Sequence, residues 1–310
     1  MSCAAASDFA LFCCPKCHEA LRASASVLEC SGCGRSYPVP EGIPSFVGED
    51  AFYEGRWSET DWSAGSLRNY MVKKERFFVR ELNGRRGSVL DLGCGGGWKL
   101  YARVGPAVGV DLSLGSLQQA SRVYARVCRS QLVELPFRDQ SFDYVVSCDV
   151  LGHVPRGEKD AVWREIYRVL KRGGRTLHYV EVDGDDPLMR FAKRYPDLYN
   201  RYLLEPEGHI GLESAQDIMS RFRRLGFRPV REVASYRGAT YVGRIVQYFD
   251  NEYRDKSAVI FGLVAICKAF TVAKPVEALA NLGMSLFIEI GDRVLPSSWS
   301  GGTMVCYEKT

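Results

Sequence analysis

The stretch Ser88-Val-Leu-Asp-Leu-Gly-Cys-Gly-Gly-Gly-Trp98 decides the fold of this chain. Its first residues form a short apolar run, which is typical of a buried parallel strand. The glycines after it let the backbone turn sharply and approach a ligand closely, and the amphipathic residues that follow predict a helix. A strand, a glycine-rich turn and a helix in this order predict a nucleotide-type site at the carboxyl end of the first strand. An ordinary tight turn between strand and helix is the alternative.

Two residues of this stretch distinguish between classes of nucleotide. The dinucleotide fingerprint needs a third glycine where this chain has Trp98. Asp91 precedes the first glycine by two residues, where its carboxylate would repel a pyrophosphate and attract a cation. The stretch resembles the first motif of the class I S-adenosylmethionine-dependent methyltransferases, whose ligand carries a sulfonium and an ammonium group. The resemblance implies that Asp91, Gly93, Gly95 and Gly97 bind this cofactor.

Two further residues are candidates for the rest of the cofactor. The run Ala107-Val-Gly-Val-Asp111 predicts a second strand that ends in a carboxylate, which can accept hydrogen bonds from both ribose hydroxyls. Alternatively, Asp111 caps the next helix. The run from Leu135 to Asp143 matches the family's third-to-fourth motif region, in which an acidic residue four positions earlier holds the adenine amino group. Gln131 stands there in this chain, and its carbonyl can accept the same bond without charge.

The rest of the chain alternates between helical and strand patterns, and the resemblance covers about 67–182. Helices are predicted over 66–84, 114–128, 160–170 and 214–225, and Gly173 is expected to be the left-handed cap of the third. Strands are predicted over 144–147, 176–180, 229–236 and 302–309, the last of them antiparallel. This order predicts an α/β fold: a Rossmann-like seven-stranded methyltransferase sheet with helices on both faces. The domain would span 66–310, with inserts at 183–212 and 237–300.

The N-terminal part carries two CxxC pairs, Cys14-Pro-Lys-Cys17 and Cys30-Ser-Gly-Cys33. Two thiolates in one tight turn can face one cation, and two such turns complete a tetrahedral zinc site. Four unrelated core cysteines are the alternative. Residues 8–48 resemble a Trm112-like zinc ribbon, with Cys14, Cys17, Cys30 and Cys33 as ligands of a structural zinc ion. We interpret the acidic and aromatic residues 49–65 as a linker.

Composition disfavours some classes of partner and compartment. The chain has 310 residues, a formal net charge of +4 and no clustered basic tract, so a nucleic-acid partner is disfavoured without being excluded. Eleven cysteines without a signal-peptide pattern favour a reducing, cytoplasmic compartment. The apolar run of 258–266 is shorter than the ~20 residues of a membrane span. The second insert is interpreted as a buried helix covering the active site or as an oligomer contact; peripheral membrane contact is a further alternative.

The predicted activity is methyl transfer from S-adenosylmethionine to a small molecule: a glycan, a lipid or a secondary-metabolite precursor. His153, after the fourth strand, and His209, beside the first insert, are candidates for a general base, although each can also be a loop histidine that orders a turn. Aromatic residues of the first insert are expected to enclose an apolar acceptor: Phe191, Tyr195, Tyr199 and Tyr202. Methylation of rRNA or tRNA bases with the ribbon as recognition module is the alternative. A third interpretation is a non-catalytic methyltransferase-like subunit.

Overall fold

The structure, a computed structural model, describes residues 9–24, 26–48, 69–238 and 240–310. The predicted linker at 49–65 and the first residues of the predicted helix over 66–84 lie outside the described residues. Within the first described part, three short antiparallel strands pair in the order β1-β2-β3. They are β1 (Leu21–Ala23), β2 (Val27–Cys30) and β3 (Ser36–Pro38). The side chains of Leu28 and Tyr37 are buried between these strands and the rest of the molecule.

A seven-stranded sheet forms the centre of the larger part. Its strands are β4 (Val89–Leu92), β5 (Ala107–Asp111), β6 (Arg126–Arg129), β7 (Phe142–Cys148), β8 (Leu170–Glu181), β9 (Phe227–Arg237) and β10 (Ser300–Lys309). They are ordered β6-β5-β4-β7-β8-β10-β9, and β10 runs antiparallel to β8 and β9. The chain order reverses beside β4, which opens a crevice at the carboxyl ends of the parallel strands. The predicted sheet is confirmed.

Helices cover both faces of this sheet. The helices of the described residues, including those of the two inserts, are α1 (Asn69–Leu82), α2 (Lys99–Val104), α3 (Leu114–Ala120), α4 (Lys159–Val169), α5 (Pro187–Lys193), α6 (Pro196–Tyr199), α7 (Ala215–Arg224), α8 (Val242–Phe249), α9 (Ala258–Phe270) and α10 (Lys274–Val294). Leu90 and Leu92 of β4 join the apolar core under α4 and α7, whereas Val89 joins the core under α1, α2 and α3. Because side chains alternate along a strand, Asp91 points to the same face as Val89.

Two sequence predictions are wrong in detail. The helix expected over 114–128 ends at Ala120, and Arg126–Arg129 forms β6 instead. Pairing with β5 buries Val127 and Cys128, and this tertiary gain overrides the helical propensity of the segment. Gly173 is left-handed, with φ +72°, but it does not cap α4, whose C-cap is Leu170. It lies instead in the irregular start of β8.

The two inserts fold together into a helical layer with its own apolar core. The first insert contributes α5, α6 and a π-helical turn over Asn200–Leu204, and the second contributes α8, α9 and α10. The buried residues of this core are Ala192, Leu198, Leu203, Val242, Ile245, Phe249, Tyr253, Ile260, Val264 and Cys267. The inserts therefore build one structure from two segments that are distant in the sequence.

The outward faces of α9 and α10 are unusually apolar. Twelve large hydrophobic side chains are exposed on or between them: Val259, Phe261, Ile266, Phe270, Val272, Val276, Leu279, Leu282, Leu286, Phe287, Ile290 and Val294. Among the described residues, no helix combines the length and hydrophobicity that crossing a membrane requires. The insert thus packs on the molecule with its inner face and presents apolar side chains on its outer face, so the apolar run of 258–266 is not a buried helix.

The N-terminal three-stranded unit packs on the edge of the large sheet. The backbone amide of Phe46 donates to the carbonyl oxygen of Arg129 in β6 at 2.8 Å, and the amide of Arg129 donates to Pro44 at 2.8 Å. Phe12 pairs with Phe137 through an isolated backbone bridge. Covering β6 in this way satisfies an edge whose backbone groups would otherwise be open to further strands.

Candidate active site

A cavity of about 500 Å³ lies at the carboxyl ends of β4, β5 and β7. Its lining includes most of the residues that the sequence analysis assigned to the cofactor: Asp91, Gly93, Gly95, Asp111 and Gln131. Gly97 does not line it. A Cβ atom at Gly97 would lie 3.3 Å from the Cα atom of Ala120 in α3, so this glycine serves the packing of the loop. The two candidate histidines, His153 and His209, also line the cavity.

The glycine loop needs glycine for conformation and for space. Gly93 and Gly95 have φ angles of +63° and +50°, in the left-handed region that other residues rarely adopt. A Cβ atom at Gly93 would lie 2.4 Å from the Cγ2 atom of Val150, which is a severe clash. The loop therefore brings bare backbone against the cavity.

Asp111 links the loop to the end of β5. Its Oδ2 accepts a hydrogen bond from the amide of Gly95 and its Oδ1 one from the amide of Ser113, both at 2.9 Å. The N-cap of α3 is Ser113, whose hydroxyl accepts from the amide of Ser116. The structure therefore assigns the capping role to Ser113. A carboxylate oxygen can accept more than one hydrogen bond, which is the chemistry that ribose hydroxyls require.

Asp91 is buried against the loop and bonded to a residue that sequence reasoning missed. The hydroxyl of Tyr124 donates to Oδ2 of Asp91 at 2.6 Å and accepts from the amide of Trp98 at 2.7 Å. Burial raises the pKa of Asp91 to about 7, the hydrogen bond from Tyr124 opposes this, and the nearby charge of Asp111 adds to it. A cationic ligand beside the carboxylate would restore its charged form. Tyr124 had no local signal, because its partner is 33 residues away.

A lysine that the sequence analysis did not predict also lines the cavity. Lys74, on α1, places its Nζ atom 2.6 Å from both carboxylate oxygens of Asp149 and 3.9 Å from the ring centre of Tyr179. The lysine side chain is only 2% exposed. Asp149 is itself left-handed, with φ +59°, in the loop after β7. This ion pair holds α1 against the loop after β7 and neutralises a carboxylate in the wall of the cavity.

The two candidate histidines come together with Glu181. Their ring centres are 5.0 Å apart, and Nε2 of His209 lies 2.6 Å from Oε2 of Glu181, at the end of β8. Nδ1 of His153 lies 3.0 Å from the carbonyl oxygen of Gly208. Burial acts to lower the pKa of His209, but the hydrogen bond and charge of Glu181 outweigh it and raise the pKa. Glu181 could have been found from the sequence as the carboxylate that follows the fifth strand.

A second cavity, of about 490 Å³, adjoins the first on the side of the inserts. The two share Glu181, His209 and Arg244 as lining residues. Apolar and aromatic side chains from the helical layer dominate the rest of the wall, including Leu188, Met189, Tyr199, Ile245, Leu263, Met284 and Phe287. Of the four aromatics predicted to enclose an acceptor, only Tyr199 is among the lining residues; Phe191, Tyr195 and Tyr202 pack against the core of the layer.

The four cysteines of the N-terminal unit form a cluster of their own. Their sulfur atoms all lie within 4.8 Å of one another, with Cys14 and Cys33 at 3.7 Å and Cys17 and Cys30 at 3.3 Å. A tetrahedral zinc ion with Zn–S bonds of about 2.3 Å separates its sulfurs by roughly 3.8 Å. The amides of Cys33 and Gly32 donate to the sulfur of Cys30 and lower the pKa of its thiol. Donor type and spacing therefore fit zinc.

The chain is also similar in sequence to known proteins. Residues 90–178 match the family described as methyltransferase domain. A protein of Encephalitozoon cuniculi, named as a candidate methyltransferase, is 34% identical over 134 residues, which make up 43% of this chain and 63% of that protein. The demethylmenaquinone methyltransferase of Lactiplantibacillus plantarum is 30% identical over 171 residues, 46% of this chain and 70% of its own length.

Solved structures are also among the proteins to which the chain is similar. The geranyl diphosphate C-methyltransferase of Streptomyces coelicolor A3(2) aligns with 78% of this chain and 80% of its own at a TM-score of 0.46, with 14% identity. The identity with the Lactiplantibacillus relative, over more than two thirds of its length, establishes kinship in sequence. Given this kinship, and a sheet that places a glycine loop and two carboxylates at its switch point, the chain belongs to the class I S-adenosylmethionine-dependent methyltransferases.

Proposed function

We propose that this methyltransferase transfers the methyl group of S-adenosylmethionine to a small molecule with an apolar body, bound in the second cavity. The observation that carries the proposal is the junction of the two cavities at Glu181 and His209. A cofactor on one side and an acceptor on the other would meet there. In-line displacement depends chiefly on such positioning, and it needs no covalent enzyme intermediate.

On the cofactor side, each polar group of S-adenosylmethionine has a candidate partner. Asp91 would hold the ammonium group, directly or through water, and Asp111 would accept the ribose hydroxyls. Gln131, an exposed residue at the rim of the first cavity, would face the adenine. Gly93 and Gly95 would admit the cofactor to the backbone, with Gly97 supporting their loop.

On the acceptor side, the apolar lining favours a ligand that buries hydrocarbon or an aromatic ring. Of the acceptor classes considered from the sequence, a lipid or an apolar secondary-metabolite precursor fits this wall better than a glycan. The Lactiplantibacillus relative is named for a small-molecule acceptor, demethylmenaquinone, which is in line with this choice. His153 and His209 would face the group that receives the methyl, where a base can remove its proton.

We also propose that Cys14, Cys17, Cys30 and Cys33 hold one structural zinc ion, in a ribbon spanning 8–48 in front of a catalytic domain spanning 66–310. Four thiolates leave no coordination position for a substrate, so this zinc would not take part in catalysis. Neither cavity includes a described residue of 9–48 in its lining. The ribbon would therefore stabilise the edge at β6 and would not select the acceptor.

Methylation of rRNA or tRNA is the second candidate function, and the placement of the ribbon away from both cavities disfavours it. Binding of RNA would require phosphate neutralisation and would weaken steeply with salt. The net charge of +4 and the apolar acceptor wall offer little for such contacts. A non-catalytic role is disfavoured by the intact carboxylates and glycines of the cofactor cavity.

A pair of variants on one helix tests the acceptor site. Met284 lines the second cavity, whereas Leu279 on the same helix is 71% exposed. Met284→Trp should fill the cavity and reduce methyl incorporation into small-molecule extracts at least about tenfold, with the affinity for S-adenosylmethionine unchanged. Leu279→Trp is the matched control and should behave as the wild type. Equal activity of both variants, or incorporation into purified rRNA or tRNA alone, would contradict the proposal.

A further inference from the structure

Three potential metal ligands converge on the wall between the two cavities. His153 comes from the loop after β7, Glu181 from the end of β8 and His209 from the end of the first insert. One ligand atom from each lies within 4.8 Å of the others. Two imidazoles and one carboxylate are a donor set that suits divalent ions of the iron-to-zinc series and leaves further coordination positions open.

The surroundings of His153 orient it as a metal ligand. A carbonyl oxygen only accepts hydrogen bonds, so Nδ1 of His153 carries the proton in its 3.0 Å contact with Gly208. In the neutral ring the lone pair is then on Nε2. A backbone carbonyl that fixes the tautomer through the other ring nitrogen is the usual second partner of a metal-bound histidine. Gly208 reaches this position with φ +72°, one residue before His209.

The other two ligands are already adjacent. Nε2 of His209 and Oε2 of Glu181 are 2.6 Å apart, and both side chains are largely buried, with exposed fractions of 7% and 15%. A small shift of either would admit an ion between them. Because both residues line both cavities, an ion bound here would contact whatever bridges the two spaces.

We propose that His153, Glu181 and His209 bind a divalent transition-metal ion, and that its open positions coordinate an oxygen of the acceptor. This proposal rests on the proposed function for the identity of the two cavities. It narrows the acceptor to an apolar molecule that carries a hydroxyl group, such as a phenol, an enol or an alcohol.

The chemistry follows from the charge of the ion. Coordination lowers the pKa of the hydroxyl, as it does for metal-bound water, and the released proton goes to solvent. A lone pair of the resulting oxygen anion forms the new bond to the methyl carbon of S-adenosylmethionine. The carbon–sulfur bond breaks with its electron pair on sulfur, so the sulfonium becomes a neutral thioether. No oxidant or reductant is needed.

Cobalt binding provides a readout that does not depend on activity. The purified 310-residue chain is first loaded with one equivalent of zinc, which the four cysteines should retain because zinc binds more tightly than cobalt. Titration with Co²⁺ should then give one further site per chain, with the visible absorption of nitrogen and oxygen ligands. His153→Ala, Glu181→Gln and His209→Ala should each weaken Co²⁺ binding at least about tenfold.

Glu205→Gln is the matched control. Glu205 lies four residues before His209, is exposed, lines neither cavity and is not part of the cluster. This variant should keep the wild-type affinity for Co²⁺. Unchanged binding of S-adenosylmethionine, measured on every variant, shows that the variants are folded.

The outcomes separate this proposal from the proposed function. The metal proposal would be overturned if no second cobalt site were found, or if the site survived all three ligand substitutions. If the variants then lost methyl transfer, His209 and Glu181 would be assigned to proton removal without metal. A cobalt site that depends on the three ligands, in a protein that methylates no small molecule, would uphold the metal site and reject the proposed function.

Discussion

The two cavities, the first proposed to bind the cofactor and the second the acceptor, are built in different ways. In the first cavity the residues proposed to hold the cofactor, Asp91 to Asp111, lie at the ends of adjacent strands and span 21 positions of the sequence. The second cavity is lined by residues from Tyr179 to Gly301, drawn from two inserts and three strands. The first site depends on local conformation and the second on long-range packing. Substitutions on the two sides should therefore have separable effects.

The largest expected effect on cofactor affinity is that of Gly93→Ala. The new Cβ atom would clash with Val150, and φ at this position is +63°. Backbone strain of about 1–3 kcal/mol together with the clash should weaken S-adenosylmethionine binding roughly 100-fold or more in calorimetry. Gly96→Ala is the control, since its Cβ would meet only the flexible side chain of Gln119 at 3.1 Å. Similar losses in the two variants would show that loop conformation is not the determinant.

Asp111→Ala should have the next largest effect. Loss of charge-assisted ribose bonds should cost about 1.5–3 kcal/mol, which is one to two decades in the dissociation constant of S-adenosylmethionine. Asp255→Ala removes an exposed carboxylate on the acceptor side and should leave that constant unchanged. Equal affinities of wild type and Asp111→Ala, or tight binding of NAD, would contradict the assignment of this residue.

Cofactor affinity should also depend on pH through Asp91. Its pKa in the free protein is about 7, and the cationic ligand binds the ionised form. Below pH 7 the carboxylate is protonated and must release its proton on binding, so the dissociation constant should rise about tenfold per unit as pH falls. Above pH 7 the dissociation constant should no longer depend on pH through Asp91. Calorimetry between pH 5.5 and about 8.5 measures this dependence. In Asp91→Asn the dissociation constant should not change with pH, and a remaining pH dependence in that variant would assign the effect to another group.

Zinc removal should have the smallest effect on the cofactor side. Cys30→Ser should abolish the metal content measured by elemental analysis and unfold the ribbon, while cofactor affinity changes by less than about threefold because no described ribbon residue lines the cavity. Cys13→Ser replaces a buried cysteine outside the cluster and should retain about one zinc per chain. Zinc retained by both Cys14→Ser and Cys30→Ser would rule out the four-thiolate site.

The same contrast explains which elements were predicted correctly. Val89–Leu92, the glycine turn and Ala107–Asp111 follow from patterns within a few residues, and the structure confirms them. The strand Arg126–Arg129 was mistaken for a helix, because only its pairing with β5 and with the N-terminal unit distinguishes it. Glu181 was missed although its place after a strand is visible, and of the four aromatic residues expected to enclose an acceptor only Tyr199 lines the second cavity.

By itself, the sequence determined the class of sheet with its antiparallel last strand, the glycine loop with Asp91 and Asp111, and the paired cysteines. These features depend on backbone conformation and on spacing along the chain, which the order of residues encodes directly. Only the tertiary structure decided that Tyr124 bonds to Asp91, that Lys74 lines the cavity and that His153, Glu181 and His209 meet. Those contacts join residues from 28 to 75 positions apart, and their formation depends on the packing of whole elements, which no local pattern records.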